Sequence, residues 1–280
     1  MSPLVYLDNN FVVTAHDGPE RYRGHLRELV AKSAATFVLS PWHWAEMARD
    51  ANYERGSSMA DFCDSLNLAY LYDRRSIQQR EAASAFFRFA GIHADAPTTV
   101  GDISDIIFDL IGTRAHRKCK AFVEHLRQVG RDHPLARTFE RAPEVNAKNT
   151  GDFLAGRFTK DFLAKSQRLY VQTLLPTITP AGVAIDEGTE QRFLDSYNLN
   201  ELPSTTLEWK ITTDGWALGR RLSENNLVDQ QHVSAVPYVD LFVTDDNKLT
   251  NLIKRAIDAV PFRTAELLTK AEFDERFPIA

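Results

Sequence analysis

Cysteine is nearly missing from this chain: only Cys63 and Cys119 occur among 280 residues. Two such residues offer neither a disulfide framework nor a metal-ligand spacing, so both are expected to be buried thiols. No apolar run approaches the roughly 18 residues needed to cross a bilayer. The opening MSPLVYLDNN has no basic segment and meets Asp8 early, unlike a secretory signal. A Gly-rich phosphate loop is also missing, which argues against a nucleotide-binding enzyme, and no internal repeat is apparent. These absences lead to the expectation of a soluble, cytoplasmic protein with no membrane partner. What is present is a composition 44% hydrophobic and 10% aromatic, enough to build a sizeable core and unlike that of a disordered chain.

The net charge of −5 hides an asymmetry. Between Arg74 and Arg168 there are 17 basic and 11 acidic residues, so the rest of the chain is strongly acidic. The cluster Arg114, His116, Arg117, Lys118 and Lys120 reads either as a solvated helix face or as an electrostatic footprint for phosphates.

Along the chain, Leu4–Leu7 reads as a short strand buried on both faces, as in a parallel sheet, and Thr36–Leu39 as the next strand candidate. Tyr22, Leu26, Leu29 and Val30 carry a helical period between them. Ser40-Pro41 reads as an N-cap and first helical position for a helix through Glu46. The middle is mostly helical: Ala82–Phe89, Ile103–Ile111, Ala115–Val129, Phe153–Leu169 and Glu190–Tyr197, with breakers such as Ala142-Pro143 between them. Helical segments then follow at Trp216–Leu222 and Asn226–Val236. They lead to a strand at Asp240–Thr244, a helix at Lys248–Ile257 and a last strand at Ala259–Arg263. The expected fold is therefore α/β, with three α/β/α layers around a parallel sheet. Residues 1–58 and 205–280 would form a discontinuous core, and residues 59–204 a mainly helical insertion.

Carboxylates punctuate these elements. Asp8 ends the first strand, Glu46 lies on the helix after the second, Asp229 on the helix before DLFVT, and Asp246 just beyond it. Ligands of open α/β sheets collect at that carboxyl edge. Singly, each residue has a plainer role as a helix cap, a turn residue or a complement to a helix dipole. Together they oppose one another, since like charges 4 Å apart repel by about 4 kcal/mol at an effective dielectric near 20. A divalent cation removes that penalty, and an all-oxygen donor set favours Mg²⁺ or Mn²⁺.

The segments VYLDNN, FVLSPWHWAEMA and LVDQQHVSAVPYVDLFVTDDNKLTNLIKRA resemble the PIN-domain (PilT N-terminus) nuclease family, in a bacterial form carrying a long helical insertion. The resemblance covers residues 3–55 and 215–265, under half of the chain. It implies that Asp8, Glu46, Asp229 and Asp246 are the catalytic acidic quartet that binds Mg²⁺ or Mn²⁺. It also implies that Asn10 and Thr244 orient these carboxylates. Asp240 is a fifth carboxylate candidate. His232 shares a helix face with Asp229 and matches a pattern in a subset of the family, or else is a packing histidine.

The implied activity is that of a metal-dependent endoribonuclease hydrolysing RNA, with the basic cluster at Arg114, Arg117, Lys118 and Lys120 as a weak candidate for binding substrate. The alternatives are a catalytically silent RNA-binding or assembly module and a structure-specific DNA nuclease. Many relatives are toxins held by an antitoxin, so a protein regulator and a homodimer are possible partners.

Overall fold

Short apolar segments set the centre of the molecule. In the computed structural model β1 (Leu4–Leu7) and β2 (Thr36–Leu39) run parallel, Val5 opposite Phe37 and Tyr6 opposite Val38. The structure describes residues 2–114, 116–130, 134–176, 188–219, 224–258 and 260–279, with the side chains of 134–143 and 224–227 excepted. Ala115, residues 220–222 and Ala259 of the expected elements lie outside them.

From β1 the chain passes through α1 (Asn9–Asp17) and α2 (Glu20–Ala31) to β2, then through α3 (Pro41–Arg49) and α4 (Tyr53–Asp64) to β3 (Ala69–Leu71). After α5 (Arg74–Phe89), β4 (Val100–Gly101) turns back antiparallel to β3. Then come α6 (Ile103–Ile111), α7 (Cys119–Val129), α8 (Pro134–Leu154), α9 (Lys160–Gln172), α10 (Thr189–Ser196), α11 (Pro203–Ala217) and α12 (Glu224–Val233). The chain closes with β5 (Leu241–Val243), α13 (Asn247–Ile257), β6 (Glu266–Leu268) and α14 (Lys270–Arg276). The strand order is β4-β3-β2-β1-β5-β6, with every pairing parallel except β3–β4. The α/β expectation holds in this form, a six-stranded, mostly parallel sheet flanked by helices. Among the described residues no helix is long and apolar enough to cross a membrane.

The order reverses at β1: the chain first builds outward through β2 and β3, then returns to lay β5 on the other side. This reversal opens a crevice at the carboxyl ends of β1 and β5, because the following helices depart on opposite faces.

The segment 59–204 is less separate than its helical patterns suggest. Strands β3 and β4 extend the sheet, and Met59, Tyr70, Ile106, Phe122 and Val123 share one core with Val5, Phe37 and Phe242. The expected boundary after residue 58 falls inside α4, and that at 205 inside α11. Cys63 and Cys119 are both buried where α4 meets α7. A second, smaller core joins Ala82, Phe86, Val171, Leu174, Phe193 and Leu202.

Other boundaries also moved. Phe153–Leu169 is not one helix: Gly156 adopts a left-handed φ of +70°, and Thr159 caps α9 by accepting from the Phe162 N–H. A glycine in this conformation ends a helix at little steric cost. The helix α8 continues through Pro143 instead of stopping there. The last strand is Glu266–Leu268, not Ala259–Arg263, because pairing with β5 selects the later segment.

Glu81 of α5 is fully buried beneath the start of α11, accepting from the N–H groups of Ser204 (2.8 Å) and Thr205 (3.4 Å). Burial raises its carboxyl from an ordinary value near 4.5 to about 8, against the lowering effect of these donors. The folded chain then holds this proton more tightly than the unfolded one, so stability falls as pH rises from about 4.5 to about 8. Glu81→Gln has no such titration. Its stability relative to wild type improves by about 2–4 kcal/mol between pH 5 and pH 9, measured by denaturant unfolding at both values.

Candidate active site

Asp8 follows β1 directly and sits at the N-cap of α1, so the strand fixes its backbone and the helix start fixes its side chain. The carboxylate is 4% exposed. Its Oδ1 accepts from the Asn9 N–H (2.8 Å) and its Oδ2 from the Thr244 hydroxyl (2.9 Å). Thr244 follows β5 directly and also accepts from the Asp246 N–H at 3.0 Å, so one hydroxyl ties together the two loops that carry Asp8 and Asp246. Asp246 caps α13, accepting from the Lys248 and Leu249 N–H groups. Asp245 turns the other way, to the N–H of Lys270. The orienting role expected of Thr244 therefore has a geometric basis.

Glu46 and Asp229 approach from α3 and α12, which pack on each other. Burial pushes the Asp229 carboxyl up to about 6, opposed by His232 and helped by the negative charges of Asp246, Asp8 and Glu46. Asp229 thus lies within electrostatic reach of all three other carboxylates. Burial raises the Asp8 carboxyl as well, with Glu46 adding and His232 and Thr244 opposing.

His232 is the hub of this group and 1% exposed. Its Nε2 lies 3.3 Å from Glu46 Oε2 and its Nδ1 2.5 Å from the Tyr6 hydroxyl. The Tyr6 hydroxyl in turn meets Ser40 Oγ at 2.9 Å. His43 completes the chain, with its Nε2–H donating to the Leu7 carbonyl (2.7 Å) and its Nδ1 accepting from the Ser40 N–H (3.1 Å). The two imidazoles lie 4.9 Å apart, and two adjacent cations in a buried site oppose each other. Burial and the charge of His232 hold His43 down at about 3, so it stays neutral. Burial also works against a charge on His232, yet the bond to Glu46 and the charges of Glu46, Asp8 and Asp229 raise its pKa. His232 thus bridges a carboxylate and a phenol inside an acidic pocket.

Other expected participants stand elsewhere. Asn10 is exposed, and the bonds that hold Asp8 come from Thr244 and the Asn9 backbone. Asp240 lies at the amino end of β5, where it accepts from the Leu4 N–H (2.9 Å) and from Arg263 (2.6 Å). It pins the far edge of the sheet. The basic cluster is also remote. Arg114 pairs with Asp105 and lies over Phe108. Lys120 pairs with Asp61, and its N–H bonds Asp64. Asp61 and Asp64 lie in the last turn of α4, which leads to the amino end of β3, so this cluster is at the edge opposite the carboxylates. Arg117 and Lys118 are exposed there.

The sequence reading missed Tyr6, Ser40 and His43, because a tyrosine inside an apolar strand carries no polar pattern. It also missed Lys248 and Arg255 of α13, whose seven-residue spacing on one helix face was a usable signal.

The donor set suits a hard divalent cation, since it consists of carboxylate oxygens whose mutual repulsion such an ion offsets. Among the described residues no three His, Cys, Asp or Glu side chains stand close enough to enclose one. Glu46 is bonded to His232. Thr244→Val keeps the shape but removes the hydroxyl shared by Asp8 and Asp246. It is expected to weaken Mn²⁺ binding about 10- to 100-fold, measured by calorimetric titration. Searched against family models, curated proteins and solved structures, the chain matches none of them.

Proposed function

We propose that this chain is a metal-dependent endoribonuclease that hydrolyses RNA phosphodiester bonds. The observation that supports it most is the Thr244 hydroxyl that ties Asp8 to the Asp246 loop at the strand-order reversal, with Asp229 and Glu46 within electrostatic reach. Asp8, Asp229 and Asp246 would hold Mg²⁺ or Mn²⁺, with Glu46 joining once released from His232. A bound ion of this kind supplies positive charge to a phosphodiester and makes a water a better nucleophile. The chain's own part is positional. Thr244 fixes Asp8, the α13 cap fixes Asp246, and the Tyr6–His232 pair sets the side of α12 that carries Asp229.

A catalytically silent RNA-binding module is the second reading, favoured by the bond that already engages Glu46 with His232. Cleavage of labelled single-stranded RNA and DNA in Mn²⁺, Mg²⁺ or EDTA separates the readings. The nuclease reading expects RNA products that need both metal and Asp8. Products that persist in EDTA, or cleavage confined to DNA, would refute it, and RNA binding without products would favour the silent module.

A further inference from the structure

Beside Asp229 a cleft of about 450 Å³ opens between α11 and α13. Lys248, Asn251 and Arg255 line it from α13, and all three are exposed. Their spacing puts them on one stripe, Lys248 and Arg255 about 10 Å apart along the helix. Asp214 and Gly215 of α11 form the facing wall. A side chain at Gly215 would meet no atom within 4 Å, so the wall is open at that point. Arg255 uses its Nε–H on the Asn251 carbonyl, and neither cation is paired with a carboxylate among the described residues.

We infer that this cleft is the track along which single-stranded RNA reaches the carboxylates, with Lys248 and Arg255 holding backbone phosphates and Asn251 bonding between them. The inference rests on the nuclease reading for its substrate class. An acidic site repels a polyanion, so cations must stand close to it to seat the strand. The cluster at Arg114–Lys120 is at the wrong edge of the sheet for that purpose, whereas the α13 stripe begins two residues after Asp246. An open groove with two unpaired cations and a hydrogen-bonding amide suits a flexible, charged polymer better than an apolar ligand.

Fluorescence anisotropy of labelled oligouridine in EDTA, over a range of salt concentrations, reads binding without chemistry. Each lost phosphate contact removes about 0.7 from the slope of log affinity against log salt. Lys248→Ala with Arg255→Ala is therefore expected to lower the slope by about 1.4 and to weaken binding. Asp214→Asn tightens binding, and Gly215→Phe weakens it by bulk with little change in slope. Arg117→Ala with Lys118→Ala leaves both quantities unchanged. An unaltered slope in the Lys248 and Arg255 variant, a slope lost instead with Arg117 and Lys118, or no RNA binding by wild type would overturn the inference. Binding through this cleft without any cleavage in metal would keep the inference and remove the catalytic reading. Cleavage with an unaltered slope would do the reverse.

Discussion

For a chain that is the proposed nuclease, Asp8→Asn is expected to lower metal-dependent RNA cleavage by at least about 100-fold, since loss of a residue that merely orients a ligand already costs 10- to 100-fold in metal affinity. The substitution keeps the side chain's shape, and the remaining carbonyl oxygen can still accept from Thr244 or from the Asn9 N–H. The fold therefore survives, which far-ultraviolet circular dichroism checks. Stability shifts in a direction that identifies the cause. Burial raises the Asp8 carboxyl above its ordinary value of 3.8, so the folded chain holds that proton more tightly than the unfolded chain. Its contribution to stability falls as pH rises above 3.8. Asparagine does not titrate, so the variant gains on wild type in thermal unfolding as pH rises above 3.8. A variant that cleaves at the wild-type rate, once contaminating nuclease is excluded, would sink the nuclease reading.

His232→Ala has the largest effect on stability. Removing this residue leaves Glu46 without its bond, strips the Tyr6 hydroxyl of one partner and opens a cavity beneath α12. Losing a fully buried side chain and a partner of the Tyr6 hydroxyl costs on the order of 2–4 kcal/mol, which lowers Tm by roughly 4–7 °C for a chain of this size. Tyr6→Phe removes only the hydroxyl and costs about 1–2 kcal/mol. If His232→Ala costs no more than Tyr6→Phe, then the contacts of His232 beyond the Tyr6 hydroxyl contribute nothing to the fold. Chemical denaturation of the two variants beside wild type decides the matter.

Much of the sheet domain was legible because its strands are short, wholly apolar and flanked by caps. Leu4–Leu7, Thr36–Leu39 and the Ser40-Pro41 helix start stand in the structure where the sequence puts them. Placing Asp8 and Asp246 at the carboxyl edge of the sheet needed only strand ends and helix starts, which local pattern reveals. Strands β3 and β4, of three and two residues, are too short to show a period of two. Their place in the sheet follows from long-range pairing that no window of sequence contains. The same blindness put the last strand too early. At Asp240 the residue type was read correctly, but its position at the start of a strand sends its carboxylate to the opposite edge. The pairing of the basic cluster was hidden for a similar reason: charge can be counted along a chain, whereas the Asp61 and Asp105 partners of Lys120 and Arg114 belong to other helices. The chain of polar groups from Glu46 to His43 joins residues far apart in sequence, and only the fold brings it together.

Direct titration of Mn²⁺ into the chain, followed by electron paramagnetic resonance from pH 5 to pH 8, tests the central claim most closely. Saturable binding is expected. It should tighten about tenfold per pH unit below about 6, where Asp229 still carries its proton, and level off above that value. Asp8→Asn should weaken it by at least about tenfold. Mn²⁺ that never saturates, or binds with the same affinity after Asp8 is replaced, would show that the four carboxylates do not form a cation site.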